Sequence, residues 1–463
     1  MAKANRTFKK KAPVVKNDIV TADIIDLTYQ GMGVAKLDGF PVFVANGLPG
    51  ERVDMVITKV LKNYGFASIK KLVKPSPDRV ELQDKLALTT GIAPMANLSY
   101  TAQLAWKQRQ VRELFKKAQI QVSVAPTIGM EDPTHYRNKA QIPAQMVNGR
   151  LETGFYRRGS HKLIPTDSFY IQDENVDEAI RVTRDVLQEE GLTAYDEETR
   201  KGTIRHVMAR YGKATGELMV VLVTNGDKLP KKEALVEKIT ARLPKLVSLV
   251  QNVNKAHSNV IMGFENHLLW GQEEIKDILL GKSYIIGPNS FYQVNPVTTA
   301  KLYSLAKDLA DLKKTDTVID AYCGIGTIAL TVADDVKKVL GVEVVEPAIE
   351  DAKQNARENG IWNADFIAAD APEQMHAWAS EGKTADVIFV DPPRKGLTQD
   401  FIEAVGVMKP ERLVYVSCNP ATLARDVSDL LEQGYEIDGR VQPVDQFPQT
   451  MHVEAVVKLV LKK

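Results

Sequence analysis

Thr317-Val318-Ile319-Asp320-Ala321-Tyr322-Cys323-Gly324-Ile325-Gly326-Thr327 decides how this 463-residue chain folds. An apolar run ends in Asp320, two glycines let the backbone turn tightly beneath a nucleotide, and TIALTVADD then opens as a helix. Seventeen residues past Gly326, Glu343 ends the next apolar run, KKVLGVEVV, where an acid can accept hydrogen bonds from both ribose hydroxyls. A dinucleotide would ask for a third glycine two residues further on, and Ile328 and Ala329 stand there instead. A nucleoside cofactor without a pyrophosphate, such as S-adenosylmethionine, makes no such demand.

Outward from this loop the rhythm after Gly287 is strand, turn, helix. VTTAKLYSLAKDLADL reads as a helix, PAIEDAKQNARENG as another with Pro at its start and Gly at its end, and FIAAD, DVIFVDPP, ERLVYVS and VEAVVKLVL as further strands. The pattern predicts an α/β fold with a doubly wound parallel sheet over 286–463. Residues 17–75 differ: short alternating strands broken by Gly31-Met32-Gly33 and Gly47-to-Gly50 predict a small β-barrel, closed by Pro75-Ser76-Pro77. Between them, 76–285 mixes helical stretches such as ENVDEAIRVTRDVLQEE with strand-like ones such as GELMVVLVT, which predicts an α+β middle domain.

With 44% apolar and 26% charged residues the composition is that of a globular protein, and no apolar run approaches the ~20 residues of a membrane helix. Two cysteines, at 323 and 418, make neither a disulfide framework nor a metal-spaced cluster, which fits a reducing cytoplasm. The net charge of +1 is low for a phosphate binder, but one basic face suffices for a local site. Residues 1–16 carry Lys3, Arg6, Lys9, Lys10, Lys11 and Lys16 without an acid, a disordered tail that either solubilises the chain or contacts a polyanion. In the middle domain Arg137, Lys139, Arg157, Arg158 and Arg205 interleave with Tyr136, Phe155 and Tyr156, as a splayed RNA loop requires.

Three motifs at predicted strand ends carry chemistry. Asp391-Pro392-Pro393-Arg394-Lys395-Gly396 follows DVIFV; an aromatic after the prolines would suit stacking on a base for amine methylation, and Arg394 occupies that place. Ser417-Cys418-Asn419-Pro420 follows ERLVYV, with the thiol before a helix whose amides favour a thiolate. His452-Val453-Glu454 adds a carboxylate. A thiolate that adds to an electron-poor ring, with a base to remove a proton afterwards, points to methyl transfer to carbon through a covalent intermediate. Cys323, inside the cofactor loop, reads as packing.

FYQVN at 291–295, DAYCGIGTIAL, GVEVVEPAI, DPPRKG, VSCNPATLARD and MHVEAVVKL, in this order, resemble the RNA uracil-C5 methyltransferases, and GMGVAKLDGFPVFV with LPGERV resembles a TRAM domain. The likeness is to the branch acting on 23S ribosomal RNA. It implies Cys418 as the nucleophile toward C6 of uracil, Glu454 as the base for the C5 proton, and Gln293, Tyr322, Thr327, Glu343, Asp370 and Asp391 around S-adenosylmethionine. The expected partner is 23S ribosomal RNA, with no membrane and no obligate protein partner. Many relatives of that branch hold an iron-sulfur cluster on four cysteines. Here Thr90-Gly91-Ile92-Ala93-Pro94 and TDSFYI at 166–171 lack them, so no cluster, no other metal and apolar packing are expected. Two rivals stay open: a transfer-RNA or amine-directed methyltransferase, and a non-catalytic RNA-binding factor.

Overall fold

The computed structural model describes residues 12–82 and 85–462. Lys3, Arg6, Lys9, Lys10 and Lys11 of the basic tail lie outside them. The chain divides into two compact units, 1–103 with 449–451, and 104–448 with 452–463. Residues 76–103 thus group with the N-terminal strands, and the stretches read as middle and C-terminal domains form one unit.

In the first unit six strands between Ile19 and Lys74 make one sheet around Ala35, Val42, Val44, Val53, Met55 and Ile57, every second residue of its strands pointing inward. This is the small N-terminal β-structure that the glycine-punctuated strands predict. Further along, Ala87, Ala93, Met95, Ala96 and Leu98 are buried, and the Gln103 amide donates to the Met95 and Leu98 carbonyls at 3.1 and 2.8 Å. Within the stretch Thr90–Pro94, Thr90 and Ala93 are buried, and Ile92 is half-buried.

The second unit holds two large sheets. In the seven-stranded one, alternate residues of Leu218–Thr224 go to opposite faces: Leu218, Val220 and Leu222 pack against the helices Glu174–Glu189 and Lys232–Arg242, while Met219, Val221 and Val223 join the core shared with the other sheet. Lys139 pairs with Arg210 across neighbouring strands, and Ala140 and Ile142 pack on the helix-covered face, so Lys139 and Arg210 lie on the face turned to the second sheet.

That second sheet runs Ala364–Ala368, Lys338–Glu343, Thr317–Ala321, Val387–Val390 and Arg412–Ser417, all parallel, and then Glu454–Leu461. Both faces are covered, Val318, Val339, Phe389 and Val414 on one and Ile319, Val342, Ile388 and Tyr415 on the other. One strand departs from the parallel expectation. Glu454–Leu461 is antiparallel to Arg412–Ser417, with Ser417 opposite Ala455. An alternating apolar run reads the same in either direction, so sequence could not supply this.

Candidate active site

Reversal of the last strand decides where its first residue sits. Cys418 leaves Arg412–Ser417 at its carboxyl end, and Glu454 opens the antiparallel neighbour, so the Ser417–Ala455 register extended by one residue sets the thiol opposite the carboxylate. Directly opposed side chains have their Cβ atoms about 5 Å apart. Glu454 is 3% exposed and Cys418 half-buried.

The turns around this pair are fastened to one another. Asn419 caps the helix Pro420–Glu432 by accepting from the Ala421 amide at 3.2 Å, and its own amide donates to the Arg394 carbonyl at 2.9 Å. Arg425 donates to the Lys395 carbonyl at 2.8 Å, and the Leu397 amide donates to Asp426 at 2.8 Å. Gly396 has φ 77°, and a Cβ there would collide with the Asp426 carboxylate and Arg425. The DPPRKG loop is thereby laid against the SCNP turn.

Electrostatics at this edge are dominated by buried acid. Burial pushes Glu454 up to about 8, helped by Asp391 and opposed by Arg394. Asp391 itself is raised by burial to about 7. Burial, then the charges of Glu454 and Asp391, push the Cys418 thiol up to about 12, with Arg394 pulling the other way. The helix amides expected to favour a thiolate are outweighed by burial and by these two acids. Arg394 is therefore the cation that acts on both members of the pair, and its Nη2 lies 3.5 Å from the His452 ring.

Asp320 precedes the glycine loop, and the sequence motif assigns it no role. It is fully buried, accepts from the Ala329 amide at 2.8 Å through one oxygen, and leaves the other without a partner; burial raises it to about 8. An acid ending an apolar strand just before a glycine loop was the available signal. Glu343 accepts from the Gly324 and Val345 amides at 3.3 and 3.0 Å, which holds the loop after Thr317–Ala321 against the end of the next strand. Tyr322, at φ 67°, feels the charges of Asp370 and Glu343 nearby, and Asp370 caps the helix Ala371–Ser380. Thr327 opens the helix Thr327–Val332. The Gln293 amide donates to Tyr303 at 3.4 Å and its carbonyl accepts from Gln446 at 3.5 Å, in the loop that leads to Glu454. Cys323 is 4% exposed inside the core, as packing requires.

The basic residues part ways. Arg157 and Arg158 are exposed in the turn after the strand Arg150–Tyr156. Arg137 and Lys139 sit deeper. Arg205 is a correction: it is 4% exposed, donates to the Asn254 and Ala256 carbonyls at 2.8 Å and to Glu197 at 3.0 Å, and lies 4.6 Å over the Tyr195 ring. A guanidinium so committed braces its own strand, and RNA cannot reach it without breaking those bonds.

A parallel sheet with a glycine loop at its carboxyl edge, an acid on the following strand and a thiol beside buried carboxyls defines a nucleoside-cofactor methyltransferase. Comparison makes the class narrower. The chain belongs to the tRNA (uracil-5-)-methyltransferase family, whose profile matches residues 99–463, and a TRAM domain matches 13–70. It is 51% identical to an uncharacterized RNA methyltransferase of Lactiplantibacillus plantarum over 98% of this chain and 99% of that one, and 49% identical, with the same coverage, to one of Halalkalibacterium halodurans. Among solved structures it resembles the Pyrococcus abyssi tRNA (uracil-54, C5)-methyltransferase, in complex with S-adenosyl-L-homocysteine, with TM-score 0.77 and 28% identity over 95% of this chain and 100% of that one.

Proposed function

We propose that this RNA methyltransferase transfers a methyl group from S-adenosylmethionine to C5 of a uridine in 23S ribosomal RNA through a Cys418–C6 adduct. The nearness of Glu454 to Cys418, supported by the Ser417–Ala455 register and by the charge of Glu454 acting on the thiol, carries the reading. The cofactor fits what surrounds them: Asp320 has an unpartnered buried oxygen, Asp320, Asp391 and Glu454 are acids kept from ionising by burial, and such a cluster favours a cation. When bound, S-adenosylmethionine supplies an electrophilic methyl and a positive charge. Gln293, Tyr322, Thr327, Glu343, Asp370 and Asp391 are the residues to hold it.

Uracil C5 is a poor nucleophile until the 5,6 double bond is saturated. Half-buried Cys418 loses its proton to water, Arg394 offsetting part of the cost, and Sγ bonds to C6. The π electrons move to C5, which would take the methyl group from the sulfonium as the sulfur–methyl bond breaks, its electron pair staying on sulfur in departing S-adenosylhomocysteine. Glu454 takes the C5 proton, the 5,6 double bond returns, and the sulfur leaves. The uridine must leave its stack for Sγ to reach the ring face. Arg157 and Arg158 would hold the flanking RNA by phosphate contacts, and the TRAM strands would bind RNA on their own account. No iron-sulfur cluster and no other metal enters this scheme. A cytoplasmic location goes with it, and no helix among the described residues is long and apolar enough to cross a membrane.

The likeness to the Pyrococcus abyssi enzyme favours a second reading, transfer RNA as substrate. Mapping 5-methyluridine in ribosomal and transfer RNA from cells with and without the gene separates them. Loss of a methyl mark from 23S RNA alone supports the first reading, and loss from transfer RNA alone overturns it.

A further inference from the structure

Among the described residues of the second unit, the buried basic side chains Lys107, Arg184, Arg205, Arg210 and Arg412 are all spent on their own protein. Lys107 pairs with Asp445, Arg205 is held as described, and Arg210 donates to the Gly287 and Ser290 carbonyls at 2.8 and 2.7 Å. Arg137 and Lys139 differ. Neither side chain makes a hydrogen bond or ion pair among the described residues, although both are largely withdrawn from water. The charged groups acting on Lys139 are Arg210 and Arg137, both cations, and burial together with them pulls the amine down to about 7. The group acting on Arg137, apart from burial, is the Tyr136 hydroxyl. Nearby acids are engaged elsewhere: Asp173 with Lys213, Asp277 with the Ala214 amide, Asp351 with Ser290.

Two half-buried like charges without a counter-ion are costly unless something anionic arrives. Their place says what. Residues two apart at a strand start share one face. Lys139 pairs with Arg210 on the face turned to the methyltransferase sheet, and Arg210 is itself bonded to the 287–290 segment that runs into Gln293. The Asn138 backbone N–H donates to the Val294 carbonyl at 2.9 Å, so the pair borders the stretch leading to the active site.

We infer that Arg137 and Lys139 form a phosphate subsite that grips the RNA backbone beside the reacting uridine. This rests on the RNA reading above and gives it a specific anchor. S-adenosylmethionine carries no phosphate, so the nucleic acid is its source. Exposed Arg157 and Arg158 give diffuse attraction, whereas a withdrawn pair contributes a fixed point from which the flipped nucleotide is measured.

The test is binding of a short fluorescent oligouridylate over a range of salt concentrations, for wild type, Lys139→Gln and Arg137→Gln. Each substitution should weaken binding and make the slope of log K against log salt shallower by about one. Inorganic phosphate should compete with the oligouridylate more weakly on both variants than on wild type. Unchanged slopes in variants that melt like wild type overturn the subsite, and so does weaker binding with the wild-type slope. Lys139→Gln keeps the test decisive if Arg137→Gln folds poorly. Because the slopes report binding alone, an oligouridylate that binds without being methylated faults the uridine assignment and leaves the subsite judged on its own.

Discussion

At the scale of single residues, the site sets two opposing demands on each acid. As the proposed base, Glu454 has to be ionised to accept a proton, and burial holds it neutral until about pH 8. The rate of the chemical step should therefore rise from pH 6 through about 8, and a single-turnover profile flat over that range would contradict the assignment. Arg394→Gln removes the cation that stabilises both the Cys418 thiolate and the Glu454 carboxylate, so the same profile should move to higher pH and the rate at pH 7 should fall. The burden also appears in stability. The unfolded chain ionises Glu454 near pH 4.5 and the folded one near 8, so ionisation favours unfolding more as pH rises between those values. Glu454→Gln should raise the melting temperature at pH 8 and do so less at pH 5; a pH-independent change would refute the buried-acid account. These residue types were legible from strand-end motifs. The raised thiol was not, because it depends on which acids the fold brings near.

Elements position these groups, and here the sequence was both informative and mute. The glycine loop, the strand before it and the helix after it are set by neighbouring residues, so a local pattern sufficed. Strand direction is set by the path of the whole chain, and the reversed final strand is what brings Glu454 to Cys418. Arg205 had the same difficulty: an arginine in a strand looks alike whether it meets solvent or two carbonyls behind the sheet. The bracing of the DPPRKG loop on the helix Pro420–Glu432 yields a sharp expectation. Gly396→Ala forces a side chain into left-handed backbone and into Asp426, and should cost about 2 kcal/mol or more in denaturant unfolding with activity falling in parallel. Wild-type stability in that variant would mean the loop is not held as described.

Across the whole second unit, buried charge ties distant segments together. Lys107 and Asp445, both fully buried and 2.5 Å apart, link the helix Tyr100–Lys117 to the loop that precedes Glu454, and Lys107 also donates to the Phe447 carbonyl at 3.1 Å. Removing one partner leaves a charge in the interior. Lys107→Met should destabilise by about 3–5 kcal/mol, and the double change Lys107→Met with Asp445→Leu should recover much of that. Urea unfolding of the three proteins checks this, and additive losses would deny the coupling. Sequence separation of more than three hundred residues hid the pair, since nothing local marks either side chain as buried.

The covalent step itself is tested most directly with 5-fluorouridine RNA, whose fluorine cannot be removed as a proton. Incubated with S-adenosylmethionine, the wild type should form an adduct that survives denaturation, and mass spectrometry should place the nucleotide on the peptide containing Cys418. An adduct that persists in Cys418→Ala, or methylation of ordinary RNA by that variant at the wild-type rate, would contradict the account.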